Sequence, residues 1–146
     1  MKECSKFVCI AAENINFLIP SSQVITSVYC NGGNYFWDDR FVFENNTIPF
    51  VDFYNDNSNV EYFGDVKYTE TALVIKNQDL FNDEKYFAVI TSKQCTVLEI
   101  EYKDFSLFSK KFENEFKKKG FIACYFNDDK IYYLVDIEVF IKNFQL

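Results

Sequence analysis

The stretch Thr47-Ile48-Pro49-Phe50-Val51-Asp52-Phe53 limits the possible folds more than any other part of this chain. Its apolar run reads as a β-strand over 48–53 with both faces covered. Pro49 falls at the second position, where a missing N–H is tolerated only at a strand start or edge. Asn45-Asn46 precedes the run and suits a tight turn, because Asn accepts positive φ and bonds its own backbone. The chain is therefore expected to be organised around a central strand that enters from a turn.

The rest of the sequence supports a sheet-rich protein. Eighteen Phe and ten Tyr stand against four Gly and two Pro among 146 residues, and aromatic side chains favour strands. A hydrophobic content of 49% is enough to fill a real core. The length suits one domain, or two small barrels sharing a seam. Strands are expected at 6–10 and 17–19, forming the first hairpin, then at 71–75, 86–90, 96–102, 121–126 and 131–135, with antiparallel pairing. Residues 24–28 form either a helical turn or a further strand. Asn31-Gly32-Gly33-Asn34 is the strongest turn signal, 54–59 reads as a polar surface loop, and 77–85 as a polar turn. Residues 35–43 read as a loop leading into a short strand at 41–43.

From Asp104 the period changes. Phe105, Phe108, Phe112 and Phe116 recur every three or four residues with Lys and Glu between them, and Gly120 follows. That pattern predicts an amphipathic helix over 104–119 with its aromatic stripe on the core. Asp136 caps a second helix, in which Ile137, Phe140 and Ile141 share a face.

Several function classes are disfavoured by what the sequence lacks. It contains no His, the commonest acid/base group and metal ligand. No phosphate-binding loop or nucleophile elbow occurs. Asp38-Asp39 and Asp128-Asp129 lack the alternating spacing of a calcium loop and read as turns. The chain is therefore read as a non-enzyme with no cofactor and no metal. A net charge of −7 argues against nucleic acid as a partner, and no run reaches membrane-spanning length. Five cysteines without C-x-x-C spacing, and a start that lacks the apolar core of a signal peptide, imply free thiols in a reducing cytoplasm. Cys95, two residues from Lys93, reads as a buried strand thiol and not as a nucleophile.

In order along the chain, several segments resemble the CheW-like domain, the adaptor that couples chemoreceptors to a histidine kinase. Phe7-Val8-Cys9-Ile10 and Asn16-Phe17-Leu18-Ile19-Pro20 are similar to that family's first hairpin. Val24 and Val28 match apolar positions of the next segment, and Ile48-Pro49-Phe50-Val51-Asp52-Phe53 matches its central strand. Residues 71–75 and 86–90 match the second barrel. Tyr132-Tyr133-Leu134-Val135-Asp136-Ile137-Glu138 resembles the closing strand and C-terminal helix. The resemblance implies a mainly β fold: one domain over 1–146, built of two intertwined SH3-like β-barrels with a C-terminal helix. It also implies a non-catalytic cytoplasmic adaptor whose partners are a chemoreceptor tip and a kinase regulatory domain.

The sequence departs from the family where that family is most specific. The Asn-Leu-Arg-Gly motif before the central strand, involved in coupling, is replaced by Val42, Phe43, Glu44 and Asn45. A glutamate cannot make the arginine's bidentate contact and repels a carboxylate partner. The acid expected after Val24 is Thr26 or Ser27, and a Val-Asp pair of the second barrel reads Thr91-Ser92. The candidate partner-binding residues are Val24, Val28, Phe43, Glu44 and Asn45. Two other readings stay open, a specialised docking module without receptor coupling and a small-ligand-binding β-barrel.

Overall fold

A computed structural model describes residues 4–12, 15–30, 35–52, 70–91 and 95–145. The chain divides into two compact units, Met1–Ser21 with Cys95–Leu146, and Ser22–Gln94. The expected mainly β fold with a C-terminal helix is the one observed.

The first unit holds strands β1 (Cys4–Ala12) and β2 (Ile15–Pro20) from the start of the chain. β3 (Val24–Cys30), β4 (Phe36–Trp37), β5 (Arg40–Phe43), β6 (Asn46–Ile48), β7 (Phe50–Asp52), β8 (Glu70–Lys76) and β9 (Tyr86–Thr91) belong to the second. The chain then returns to the first unit with β10 (Thr96–Glu101), β11 (Phe105–Ser106), helix α1 (Glu113–Lys118), β12 (Phe121–Asn127), β13 (Lys130–Val135) and helix α2 (Ile137–Gln145).

One six-stranded sheet makes the first unit, in the order β10-β1-β2-β13-β12-β11. The hairpins are antiparallel, but β13 runs parallel to β2 and sets Tyr133 beside Phe17 and Leu134 beside Leu18. This corrects the expectation of antiparallel pairing throughout. Hairpin signals are local, whereas a parallel pair joins strands far apart in the chain. Phe7, Val8, Cys9 and Ile10 are all buried, as are Phe17, Leu18 and Ile19. Such consecutive burial means that both sheet faces are covered, which is why these strands read as unbroken apolar runs. Phe7, Cys9, Leu18 and Ile100 form one core cluster, with Phe105 and Tyr125 packed on it.

Asp136 caps α2 as expected, its carboxylate accepting from the Val139 amide at 3.4 Å. Ile137 and Ile141 are buried, and Phe140 meets Phe17 with ring centroids 5.0 Å apart. The helix expected over 104–119 is much shorter. Phe105 and Ser106 pair with Tyr125 and Cys124 in the sheet, and only Glu113–Lys118 is α-helical. Sheet pairing and a place in the core cluster outweigh the helical spacing of Phe105. The aromatic stripe survives in part, since Phe108 stacks on Phe116 at 4.3 Å and Phe116 meets Phe121 edge-on at 6.2 Å.

The second unit combines a four-stranded sheet, β3-β8-β9-β7, with a three-stranded sheet, β4-β5-β6. The stretch expected as one strand over 48–53 is two strands divided at Pro49. β6 pairs antiparallel with β5, while β7 pairs parallel with β9. Proline supplies no N–H for the ladder, so the chain changes sheets there. The Pro49 carbonyl still accepts from the Ala88 amide at 2.9 Å. Phe53, like the turn signal at 31–34, the loop at 54–59 and Ser92, lies outside the described residues.

Candidate partner-binding site

The candidate residues Val24, Val28, Phe43, Glu44 and Asn45 all belong to the second unit. Val24 opens β3 opposite Ile75, and Val28 sits opposite Ala72. Both valines are half-buried. Val28 packs on a core of Cys30, Phe36, Phe41, Ile48, Ala72, Val74, Ala88 and Ile90. β3 is an edge strand with an irregular register between Val24 and Thr26, and irregularity of this kind limits uncontrolled edge pairing. Its outward residues include Ile25, 39% exposed, and Tyr29, 53% exposed.

Phe43, Glu44 and Asn45 stand at the tip of the β5–β6 hairpin. Phe43 pairs with Asn46, so Glu44-Asn45 forms the two-residue loop. The turn lies one residue earlier than the Asn45-Asn46 expected from sequence. Glu44 has φ 48° and Asn45 φ 65°, the left-handed pair of a type I′ turn. Asn adopts that region easily, whereas Glu carries a steric penalty of about 1–2 kcal/mol there. Both residues are exposed. Phe43 is half-buried and meets Tyr86 edge-on at 6.0 Å, which fixes the root of the tip. The hairpin therefore projects an acid on a rigid apolar base.

Arg40, the sole arginine of the chain, was not among the sequence candidates. From the other end of β5 its guanidinium donates to the Thr47 hydroxyl at 3.0 Å, to the Thr47 carbonyl at 2.9 Å and to the Glu84 carboxylate. These bonds tie β5 and β6 to the 77–85 loop. Asn77 organises that loop, donating to the carbonyls of Phe81 and Glu84 and accepting the amides of Leu80 and Phe81. The arginine is thus occupied internally. Beside it, across the Asp38-Asp39 turn, Trp37 is 67% exposed. Asp38 and Asp39 also have positive φ and close a two-residue hairpin, so the stretch expected as a loop is a strand pair. A lone tryptophan next to a pair of turn aspartates was the only sequence signal for this exposed ring.

Among the described residues no group of three or more His, Cys, Asp or Glu is arranged to hold a metal ion. No helix is long and apolar enough to cross a membrane. Burial pushes the Cys95 thiol up to about 12, and the nearby Cys9 pushes in the same direction. Cys9 and Cys124 are also raised by burial. A thiol held protonated is a poor nucleophile.

No family model matches this sequence, and no curated protein matches it. The fold does have a solved counterpart. The crystal structure of the scaffolding protein TtCheW from Thermoanaerobacter tengcongensis superposes with a TM-score of 0.61, covering 93% of this chain and 90% of that one at 9% identity.

Proposed function

We propose that this chain, which has the fold of the CheW scaffolding proteins, is a cytoplasmic, non-catalytic adaptor. It is read as one domain made of two intertwined β-barrels. Its partners in this reading are a chemoreceptor cytoplasmic tip and the regulatory domain of a histidine kinase. The observation that carries the proposal is the match to a scaffolding protein over 93% of the chain. A second source of support is the sequence resemblance, which follows the same order of segments from Phe7 to Glu138.

The contact surface is assigned to the β5–β6 hairpin tip (Phe43, Glu44, Asn45) together with Val24 and Val28 of β3. The tip is exposed, its acid is held in a left-handed conformation, and Phe43 anchors it. Steric strain at an exposed position is consistent with a binding role. An acid there selects a basic group on the partner, the reverse of the arginine carried by the resembled family.

Calorimetry of wild type and Glu44→Arg against a receptor tip and a kinase regulatory domain from the same cell tests the assignment. Charge reversal is expected to weaken binding by about 1–3 kcal/mol if the contact is desolvated. Equal affinities would remove the hairpin tip from the surface. A specialised docking module without receptor coupling is the second reading. It is favoured by the loss of the family arginine at 44 and by the commitment of Arg40 to Glu84 and Thr47. Binding to the kinase domain but not to the receptor would select it.

A further inference from the structure

Residues 107–119 of the first unit carry five lysines against two glutamates, a net +3. Subtracting that +3 from the chain's −7 leaves −10 on all other residues. The sign inversion coincides with exposed apolar surface. Leu107 is 82% exposed and Phe112 46% exposed. Lys117 pairs with Glu113 at 3.0 Å, one turn away on α1. Among the described residues, Lys110, Lys111, Lys118 and Lys119 make no ion pair, and all four are exposed.

The aromatic surface is fixed in place. Phe112 meets Phe116 edge-on at 6.4 Å, Phe116 stacks on Phe108 at 4.3 Å, and the series continues inward through Phe121 to Phe140. Lys111 Nζ lies 5.5 Å from the centre of the Phe112 ring. A rigid ring rimmed by ammonium groups loses little conformational entropy on binding, as a binding hot spot requires. We propose that residues 107–119 form a docking surface for an acidic peptide segment bearing an apolar anchor. Its carboxylates would meet Lys110, Lys111, Lys118 and Lys119, and its anchor would rest against Leu107 and Phe112.

An anionic lipid surface shares part of this chemistry but fits less well. A membrane plane meets the wider molecule, whose other residues carry −10, whereas a peptide meets only the patch. The proposal concerns a different unit from the hairpin tip and holds whether or not the adaptor reading does.

The test is fluorescence anisotropy with a labelled synthetic peptide that alternates Glu with Leu, beside the same peptide with Gln for Glu. Wild-type protein is expected to bind the Glu peptide at least about tenfold more tightly than the Gln peptide at low salt. That preference should shrink as ionic strength rises from about 0.01 to about 0.15 M and the Debye length contracts from about 30 to about 8 Å. The double variant Lys110→Glu/Lys111→Glu should lose about tenfold in affinity for the Glu peptide. Leu107→Ser, at a position open to solvent, should weaken both peptides severalfold while the circular dichroism spectrum stays that of wild type. Equal binding of the two peptides, or binding of neither, overturns the proposal. So does binding to phosphatidylserine vesicles over phosphatidylcholine vesicles without binding of the Glu peptide.

Discussion

Gly120 gives the sharpest energetic test of how the first unit is put together. It follows α1 with φ +94°, and its carbonyl accepts the Asp136 amide at 2.7 Å, joining the end of one helix to the start of the next. A Cβ placed on Gly120 would lie 2.6 Å from the Phe140 nitrogen and 2.8 Å from its Cα. Both atoms are backbone of α2, so no side-chain rotation relieves the contact. Left-handed geometry costs an ordinary residue about 1–2 kcal/mol, and forced displacement of packed backbone adds about 1–3 kcal/mol. Gly120→Ala is therefore expected to lose about 2–5 kcal/mol of folding stability. At this chain length each 1 kcal/mol lowers Tm by about 2–4 °C. Urea unfolding followed by circular dichroism measures the loss, and Gly120→Asn separates its causes, since Asn relieves the φ penalty but not the clash. A loss below about 1 kcal/mol for Gly120→Ala would refute the close approach of α2 to this glycine.

Three further outcomes follow from the second unit and from the thiols. Arg40→Met removes the bonds to Thr47 and Glu84 and should cost about 1–2 kcal/mol in urea unfolding, kept modest because solvent screens a half-exposed ion pair. Glu44→Gly relieves left-handed strain at an exposed tip and should raise stability by about 1 kcal/mol, read as a higher denaturation midpoint with unchanged slope. Cys95 is pushed up to about 12 from an ordinary thiol value of 9.0. The folded state thus holds its proton after the unfolded state has released it, and the associated stability is present below pH 9 and lost as pH rises towards 12. The decline in stability across that window should be shallower in Cys95→Ala than in wild type.

Much of both units was legible because the physical causes are local. Strands buried on both faces wrote themselves as consecutive apolar residues at Phe7–Ile10 and at 71–75 and 86–90, and Asp136 announced α2 through its cap. What failed to show was non-local. Pro49 sits inside an apolar run that looks continuous, yet its missing N–H sends the chain from one sheet into another. The parallel pairs β13–β2 and β7–β9 bring together segments that no turn signal connects. Phe105 has the spacing of a helix but finds its place in a sheet core, so the amphipathic pattern over 104–119 overstated α1. At the candidate site, Phe43 and Asn46 pair directly and move the turn onto Glu44, a residue type that turn propensities would not select. Arg40 was not visible as a brace because Glu84 is 44 residues away.

The adaptor reading is tested most directly by bridging. Size-exclusion chromatography with light scattering, on a mixture of this chain, a chemoreceptor cytoplasmic tip and a histidine-kinase regulatory domain from the same cell, reports whether the three travel together. The account predicts one species whose mass is that of the ternary complex, formed only when this chain is present and diminished by Glu44→Arg. Elution of this chain alone, with receptor and kinase domains unchanged by its addition, would contradict it.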